Sequence, residues 1–337
     1  MTRARDLADL AGAADAGTVT GANLIINGDM AVWQRATAAT TASSSGLYDT
    51  VDRIKIWDET DGAFTSERST TVPSGEGFGY SLKLAVTTAD TSIAATQYAV
   101  FAQIIEAQNL QHLSYGTSGA KALTLSFWVR SSKTGTYTIT LEKNDSTRYR
   151  YIKEYSISTS DTWEKKTITI QPDSQIKASG GAIANDNGQG FRLLFNLAWG
   201  STYSGATDGV WSSGSNDYST SNQVNWMDSD SNDFYITGVK LEVGDSATPF
   251  QHESYAENLA KCQRYFQTSV ANSHAGLYTG STYVGDVFFK GTMRDVPTLS
   301  NLTGNYGNTS DIRADKFHFA RNSAATYLDT WSADAEL

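Results

Sequence analysis

The sequence predicts an all-β protein: an antiparallel β-sandwich of the jelly-roll kind, followed by a short helix and a small C-terminal β domain. Three observations predict it. Charged residues make up only 18% of the chain, while Thr, Tyr, Trp and 28 glycines are abundant, a balance that favours strands and turns over helices. From Asn23 to about Val243 the apolar residues recur with a period of two, the signature of strands with one buried face. After Pro249 the period changes once, to a helical one. Strands with a single apolar face belong to antiparallel sheets, and two such sheets stacked face to face make a sandwich.

Residues 1–22 stand apart. They are rich in alanine, and Ala4, Leu7, Ala11 and Ala14 fall at helical spacing. A helix this short is marginal by itself in water, so the segment reads either as a frayed terminus or as a peptide that orders only when docked on a partner, in which case Leu7, Leu10, Ala11 and Ala14 form the docking face. The strands follow. LTLSFWV places Leu123, Leu125, Phe127 and Val129 on one face; YSLKLAV aligns Leu82, Leu84 and Val86; TYTITL aligns Tyr137, Ile139 and Leu141; FRLLFNL aligns Phe191, Leu193, Phe195 and Leu197. Between Ala198 and Asp233 the alternation stops in a Gly/Ser-rich stretch that nevertheless holds Tyr203, Trp211, Tyr218 and Trp226. Disordered linkers are poor in aromatics, so this is an ordered long loop, and such loops in compact domains serve function or interfaces. In SYAENLAKCQRYF, Tyr255, Leu259, Cys262 and Phe266 share a helical face, and Ser254 with Glu257 forms a capping box. β-like runs return from Ala275 onward, including an exposed-looking VFF at 287–289. The division is therefore 1–22, 23–252 and 253–337.

Several function classes are set aside at this level. A net charge of −10 disfavours any partner held by phosphate neutralisation, so neither nucleic acid nor an anionic membrane is expected. No apolar run approaches the ~20 residues of a membrane span, and the first residues lack the apolar core of a secretory signal. The single cysteine, Cys262, excludes an intrachain disulfide. Four scattered histidines fit no metal-ligand spacing, and neither a GxSxG elbow nor a phosphate loop is present. GEGFG (75–79) reads as a surface turn. No enzyme activity is expected, and no cofactor is required.

NLIINGDMAVWQR (23–35), VDRIKIW (51–57), ITGVKLEVGDSATPF (236–250) and SYAENLAKCQRYF (254–266) stand in an order and spacing that resembles bacteriophage tail-fibre and related virion appendage proteins, with weaker matches at MRDVPT (293–298) and WSADAEL (331–337). The resemblance covers most of the chain. It implies a carbohydrate-binding-module-like jelly roll, then a helix and a small β domain. It implies a homotrimer, attachment to other virion proteins through residues 1–22, a place on the virion, and adhesion to the host surface. Two departures stand out: Ile54 follows Arg53 where Trp is usual, and Lys240 replaces the usual Gln. A carbohydrate-binding module mainly recognising host glycans is the first alternative, and a polysaccharide depolymerase the second.

Sugar rings stack on aromatic faces while charged and amide groups take their hydroxyls. Trp57 is out of phase with Ile54 and Ile56, and Trp128 with Leu125 and Phe127, so both point away from the core, beside Lys55 and Arg130. The four side chains are the first candidates for a glycan platform, with Trp211 and Trp226 of the long loop as further ones. DSDSNDF (228–234) echoes an EF-hand loop but has Asp233 at position 6 and Val239 at position 12, against that motif's Gly and Glu. The modules this chain resembles often pin their first and last strands with one structural calcium; that implies a site joining Asp29 and Asp233.

Overall fold

A computed structural model describes residues 21–269, 277–279, 282–302, 308–321 and 330–337; the docking face of Leu7, Leu10, Ala11 and Ala14 lies outside the described residues. Two compact units emerge. One runs to Ala31 and from Ala36 to His252; the other joins Val32–Arg35 to Glu253–Leu337.

The first unit contains β1 (Thr40–Thr41), β2 (Lys55–Asp58), β3 (Ala63–Ser69), β4 (Ser81–Thr88), β5 (Tyr98–Glu106), β6 (Leu123–Ser131), β7 (Gly135–Lys143), β8 (Tyr149–Ile157), β9 (Glu164–Ile170), one turn of helix α1 (Ser174–Lys177), β10 (Gln189–Trp199), β11 (Trp211–Ser212) and β12 (Asp233–Val243). They form two six-stranded sheets. Sheet A has the order β1-β3-β4-β12-β6-β9 and sheet B the order β11-β8-β7-β10-β5-β2, with antiparallel pairing throughout. Apart from β3–β4 and β7–β8, neighbours in each sheet are not consecutive in the chain, as in a jelly roll.

The core lies where the period-two residues of the two sheets meet. Phe127 and Phe234 of sheet A meet Phe195 and Phe101 of sheet B, with ring centroids 5.1 and 5.9 Å apart. The predicted apolar faces of β4, β6, β7 and β10 are all buried. One bulge bends β12: its register against β6 shifts between Thr237 and Lys240. Gly238 sits there at φ +62°, where a Cβ would come within 2.5 Å of the Phe78 ring, so a larger residue meets both backbone strain and a clash.

Buried outward-facing residues are as telling as the core. Lys240 and Glu242, on the outer side of β12, are both buried and paired at 3.2 Å. Thr248 donates its backbone N–H and its hydroxyl to Glu242 at 2.8 and 2.7 Å, and the Lys240 ammonium donates to Pro249 O at 3.1 Å. The departure from Gln at 240 is therefore a structural ion pair that closes the GDSATP turn.

The second unit contains α2 (Tyr255–Gln263), β13 (Phe266–Thr268), β14 (Leu277–Thr279), β15 (Thr282–Phe288), β16 (Thr298–Ser300), β17 (Asn308–Ser310), β18 (Lys316–Arg321) and β19 (Ser332–Asp334). They make sheets β13-β19-β16 and β14-β15-β18-β17. The capping box is present in full: Ser254 Oγ accepts from Glu257 N–H and the Glu257 carboxylate from Ser254 N–H. The expected helical stripe holds in part. Of its four members Cys262 and Phe266 are buried and Leu259 is half-buried, whereas Tyr255 is 59% exposed and Asn258 faces inward in its place. The VFF run alternates as a strand end must: Val287 and Phe289 are buried, and only Phe288, 68% exposed, faces out.

WQR of the first motif also belongs to this unit. Gln34 donates to Phe266 O at 2.9 Å, and Arg35 lies 3.7 Å over the Phe266 ring and bridges Asp334 and Glu336 at 3.1 and 3.3 Å. Arg294 of MRDVPT donates to Ala335 O at 2.7 Å. Four of the motif stretches thus converge on one clamp around the C-terminal residues.

Candidate functional site

The two outward tryptophans do not share a platform. Trp57 lies on β2, at the edge of sheet B, and Trp128 on β6, inside sheet A. Each points away from the core, so they face opposite sides of the sandwich. The in-phase argument was sound for each strand, but which sheet a strand joins is decided by long-range pairing. Lys55 stays with Trp57, its ammonium 5.2 Å from the Trp57 ring and 5.5 Å from that of Tyr48. Arg130 stays with Trp128 on sheet A, where it is already engaged: it donates to Asp161 O and Oδ1 at 2.9 and 2.8 Å and lies 4.7 Å from the Tyr235 ring.

Trp211 and Trp226 are not ligand platforms. They are 2% and 0% exposed. The Trp211 indole donates to Gln171 O at 2.9 Å and packs on Tyr115 and Tyr151. The Trp226 indole donates to Asp233 O at 3.2 Å and packs edge-on to Phe64. Both anchor the long loop, and a loop this polar needs such anchors to stay ordered.

Asp29 and Asp233 do not meet either. The NGDM segment does run beside β12, but the contacts fix its register: Val239 N–H donates to Gly28 O at 2.8 Å, and the Thr237 hydroxyl to Asp29 O at 3.3 Å. Asp233 lies four residues further along the strand, about 13 Å away at ~3.3 Å per residue. Its carboxylate accepts from Ser132 N–H. The two acids therefore do not fit a shared calcium site, and no cluster of three or more His, Cys, Asp or Glu suited to a metal occurs among the described residues. Asp228 of the acidic turn pairs with Lys133 at 2.5 Å and accepts from Asn232 at 2.8 Å.

The site that does assemble is a cleft on the outer face of sheet B, lined by Trp57, Tyr98, Val100, Arg192, Leu194, Trp199, Tyr203 and Tyr218, with a volume of about 170 Å³. Its floor is the outward parity of β5 and β10, where Val100, Ala102 and Leu194 form a small apolar cluster. Its wall is a stack of three rings: Tyr98 on Trp199 at 4.8 Å and 22°, and Trp199 on Tyr218 at 4.9 Å and 15°. Tyr203 stands nearly perpendicular to all three, at 71–87°. Arg150 lies 4.1 Å from the Tyr218 ring centre and donates to the Tyr218 hydroxyl at 2.7 Å.

Both aromatic residues from the long loop are held by its backbone. Tyr218 O accepts from the Thr140 hydroxyl and from Asn196 Nδ2, and Tyr203 O from Tyr218 N–H and Ser219 N–H. The Ala198–Asp233 stretch is thus an ordered cover that buries Thr138, Thr140, Glu142 and Asn196 on the outer side of sheet B.

Two donors at this cleft lack acceptors. The Trp199 indole N–H and the Arg192 Nε–H are both enclosed and have no hydrogen-bond partner. Both nitrogens are closed off from the open cleft, as are other unpartnered polar atoms of the sandwich such as Tyr155 Oη and Asn196 Oδ1. Burial pushes the Tyr98 hydroxyl above the usual phenol range, so it serves as a neutral donor or acceptor at physiological pH.

Trp128 lines a recess of about 280 Å³ on sheet A with Ser126, Lys165, Glu76, Phe250 and His252. It is the larger space, but none of its lining residues carries an enclosed donor or acceptor without a partner.

Of the residues named from sequence, Trp57 lines this cleft and Lys55 does not, while Tyr98, Arg192 and Trp199 were not named. Signals existed: Arg192 and Leu194 share the outward parity of FRLLFNL, and Tyr203 and Tyr218 were the aromatics that made the loop anomalous. What could not be read was that β10, β5 and β2 are neighbours.

No protein-family model matches this chain, and no curated protein does. Solved structures with similar folds include a Bacteroides thetaiotaomicron protein designated as sugar binding, at 12% identity and a TM-score of 0.35, covering 66% of this chain and 100% of that one. The enzymatically active domain of tailspike protein 4 of bacteriophage CBA120 is similar at 14% identity and a TM-score of 0.31, covering 66% of this chain and 21% of that one. The family 11 carbohydrate-binding module of Clostridium thermocellum, in complex with a mixed-linked tetrasaccharide, is similar at 11% identity and a TM-score of 0.30, covering 62% of this chain and 96% of that one. None shares enough sequence to transfer a binding residue. The class that this chain's own fold defines is an antiparallel β-sandwich of the jelly-roll kind, with an aromatic-lined cleft on the outer face of sheet B.

Proposed function

We propose that this chain is a non-catalytic structural protein of a bacteriophage virion, a tail-fibre-like appendage, and that its sandwich binds host-surface glycan in the cleft on sheet B. The observation that carries the glycan reading is the aromatic lining of the cleft, Trp57, Tyr98, Trp199 and Tyr218, set beside the partly exposed Arg192. A sugar presents both complements: C–H faces for rings and hydroxyl oxygens for N–H groups. The cleft is smaller than the ~300–1,000 Å³ of sites that enclose a drug-sized ligand, so it takes one ring and leaves the rest of a chain outside. Affinity per site is then weak, and adhesion relies on several copies acting together, as a homotrimeric appendage provides. The virion reading is supported by the ordered set of motif stretches and by residues 1–22 as the attachment peptide.

Binding of the full chain to an array of bacterial surface polysaccharides tests the cleft. Saturable binding lost in Trp57→Ala and weakened in Trp199→Phe is expected; binding unchanged in both would place the site elsewhere. Release of reducing ends from a bound polysaccharide would replace the non-catalytic reading with depolymerase activity. Immunogold labelling of particles tests the virion assignment, with label on an appendage expected and particles free of label overturning it.

A further inference from the structure

Beneath the cleft, three charged side chains stand in one row straight across sheet B. Arg192 of β10 is the register partner of Glu142 of β7, and Glu142 that of Arg150 of β8. Glu142 is fully engaged: one carboxylate oxygen is 3.0 Å from Arg192 and the other 2.7 Å from Arg150. Each Arg150 nitrogen has a partner, with Nε on Glu142, one terminal nitrogen on Gly214 O at 2.6 Å and the other on the Tyr218 hydroxyl at 2.7 Å. Two guanidiniums therefore share one carboxylate. Arg150 and Glu142 are each 1% exposed at the side chain and Arg192 is 22% exposed. Among the described residues no second carboxylate pairs with Arg150 or Arg192, although Glu106 lies buried on the same outer face, two residues from Ile104, the register partner of Arg192. Asp217, the acid beside Tyr218, receives the Ser212 hydroxyl instead, and Glu59 lies toward the opposite end, near Tyr98. A largely buried row with one positive charge in excess is costly unless an anion pairs with it. Of its three members only Arg192 lines the cleft, and its Nε–H is the group left without an acceptor.

We propose that the saccharide this cleft selects is acidic, and that Arg192 is the residue that selects it by pairing with the carboxylate of a uronic acid. The proposal rests on the glycan-binding reading of the cleft and adds the chemical class of the glycan. Arg192 lines the cleft with 22% of its side chain exposed, and a planar guanidinium matches a carboxylate in geometry as well as in charge. The ring of the same sugar lies against the aromatic wall, so the acid group enters at the Arg192 end, away from Glu59. The net charge of the chain is −10, so this preference comes from the cleft and not from the overall field.

The test uses the full chain on an array of bacterial polysaccharides in which each acidic member is paired with its carboxyl-reduced form, read at low and at moderate salt. The expected result is binding confined to acidic members, weakened at least tenfold by carboxyl reduction and severalfold by the added salt. Arg192→Gln removes that difference. The variant leaves Glu142 and Arg150 as a balanced pair, so its melting temperature stays close to that of the wild type and loss of binding is not loss of fold. Trp57→Ala weakens acidic and reduced forms alike. Binding that survives carboxyl reduction unchanged, or an Arg192→Gln variant that keeps the preference, overturns the acidic specificity while leaving the glycan reading intact. An array on which the wild type binds nothing overturns the glycan reading, and this one with it.

Discussion

The two outer faces of the sandwich carry the same kind of device and use it differently. On sheet A, Lys240 and Glu242 form a buried pair of one cation and one anion, and the ammonium and carboxylate are also met by Thr248 and Pro249. On sheet B, Arg150 and Arg192 share Glu142, and one N–H remains unmet. Both clusters lie under a cover, a short turn in the first case and the long loop in the second. The difference teaches that burial of charge does not by itself mark a functional site. What separates the two clusters is balance: the pair on sheet A closes on itself, and the row on sheet B carries one more cation than anion, which is what the acidic-glycan proposal rests on.

The contrast can be broken most sharply at sheet A. Removing one member of a buried pair strands the other, at a cost of about 3–5 kcal/mol. Lys240→Ala is therefore expected to lower stability by that amount in denaturant titration and, in the fraction that stays folded, to leave glycan binding unchanged. Lost affinity in a fully folded Lys240→Ala would show that the two faces are not independent.

At the cleft, Trp199→Phe keeps a ring between Tyr98 and Tyr218 but narrows the aromatic wall. Aromatic contacts are worth about 0.5–1.5 kcal/mol, so affinity should fall up to about tenfold by calorimetry with little change in melting temperature. Unchanged affinity would mean that the ligand does not lie against Trp199.

A third charge sharpens the same comparison through pH. The Lys143 ammonium donates to Gly180 O and Ala182 O, each at 2.9 Å, and to Asp145 O. Burial lowers its pKa from 10.5 to about 8. The folded state then holds fewer protons at this group than the unfolded state between pH 8 and 10.5, so its contribution to stability rises with pH across that window. The expected outcome is that the stability difference between wild type and Lys143→Met shifts in favour of the wild type from pH 7.5 to pH 10. A difference that stays flat would mean that the three carbonyls hold the proton as firmly as water does.

The smallest effect belongs to Trp128→Ala on sheet A. The indole is half-buried on an outward face whose neighbours are already satisfied, so stability should change by no more than ~1 kcal/mol and glycan binding not at all. Loss of binding in this variant with the fold intact would move the site to the recess that Trp128 lines.

Local pattern determined a good deal about this protein. Alternation over four to eleven residues states which side chains of a strand go to the core, because successive side chains point to opposite faces of the sheet; Leu123 to Val129 and Phe191 to Leu197 were legible for that reason. The helix start was legible because a capping box is completed within four residues, Ser254 to Glu257. The Gly/Ser stretch was legible as ordered because it spends four large aromatics where a linker spends none. Tertiary structure alone decided the rest. Parity places Trp57 and Trp128 outward, but only the pairing of β2 with β5 and of β6 with β12 sends them to opposite faces. Asp29 and Asp233 flank the same strand, but a register fixed by Gly28 and Val239 keeps them apart. Arg192, Glu142 and Arg150 are unremarkable charges in three strands until antiparallel registry sets them in one row. The physical reason is common to all three cases: period-two sterics act between neighbours in sequence, whereas registry is settled by hydrogen bonds and packing between residues as far apart as Gly28 and Val239, whose pairing no local pattern encodes.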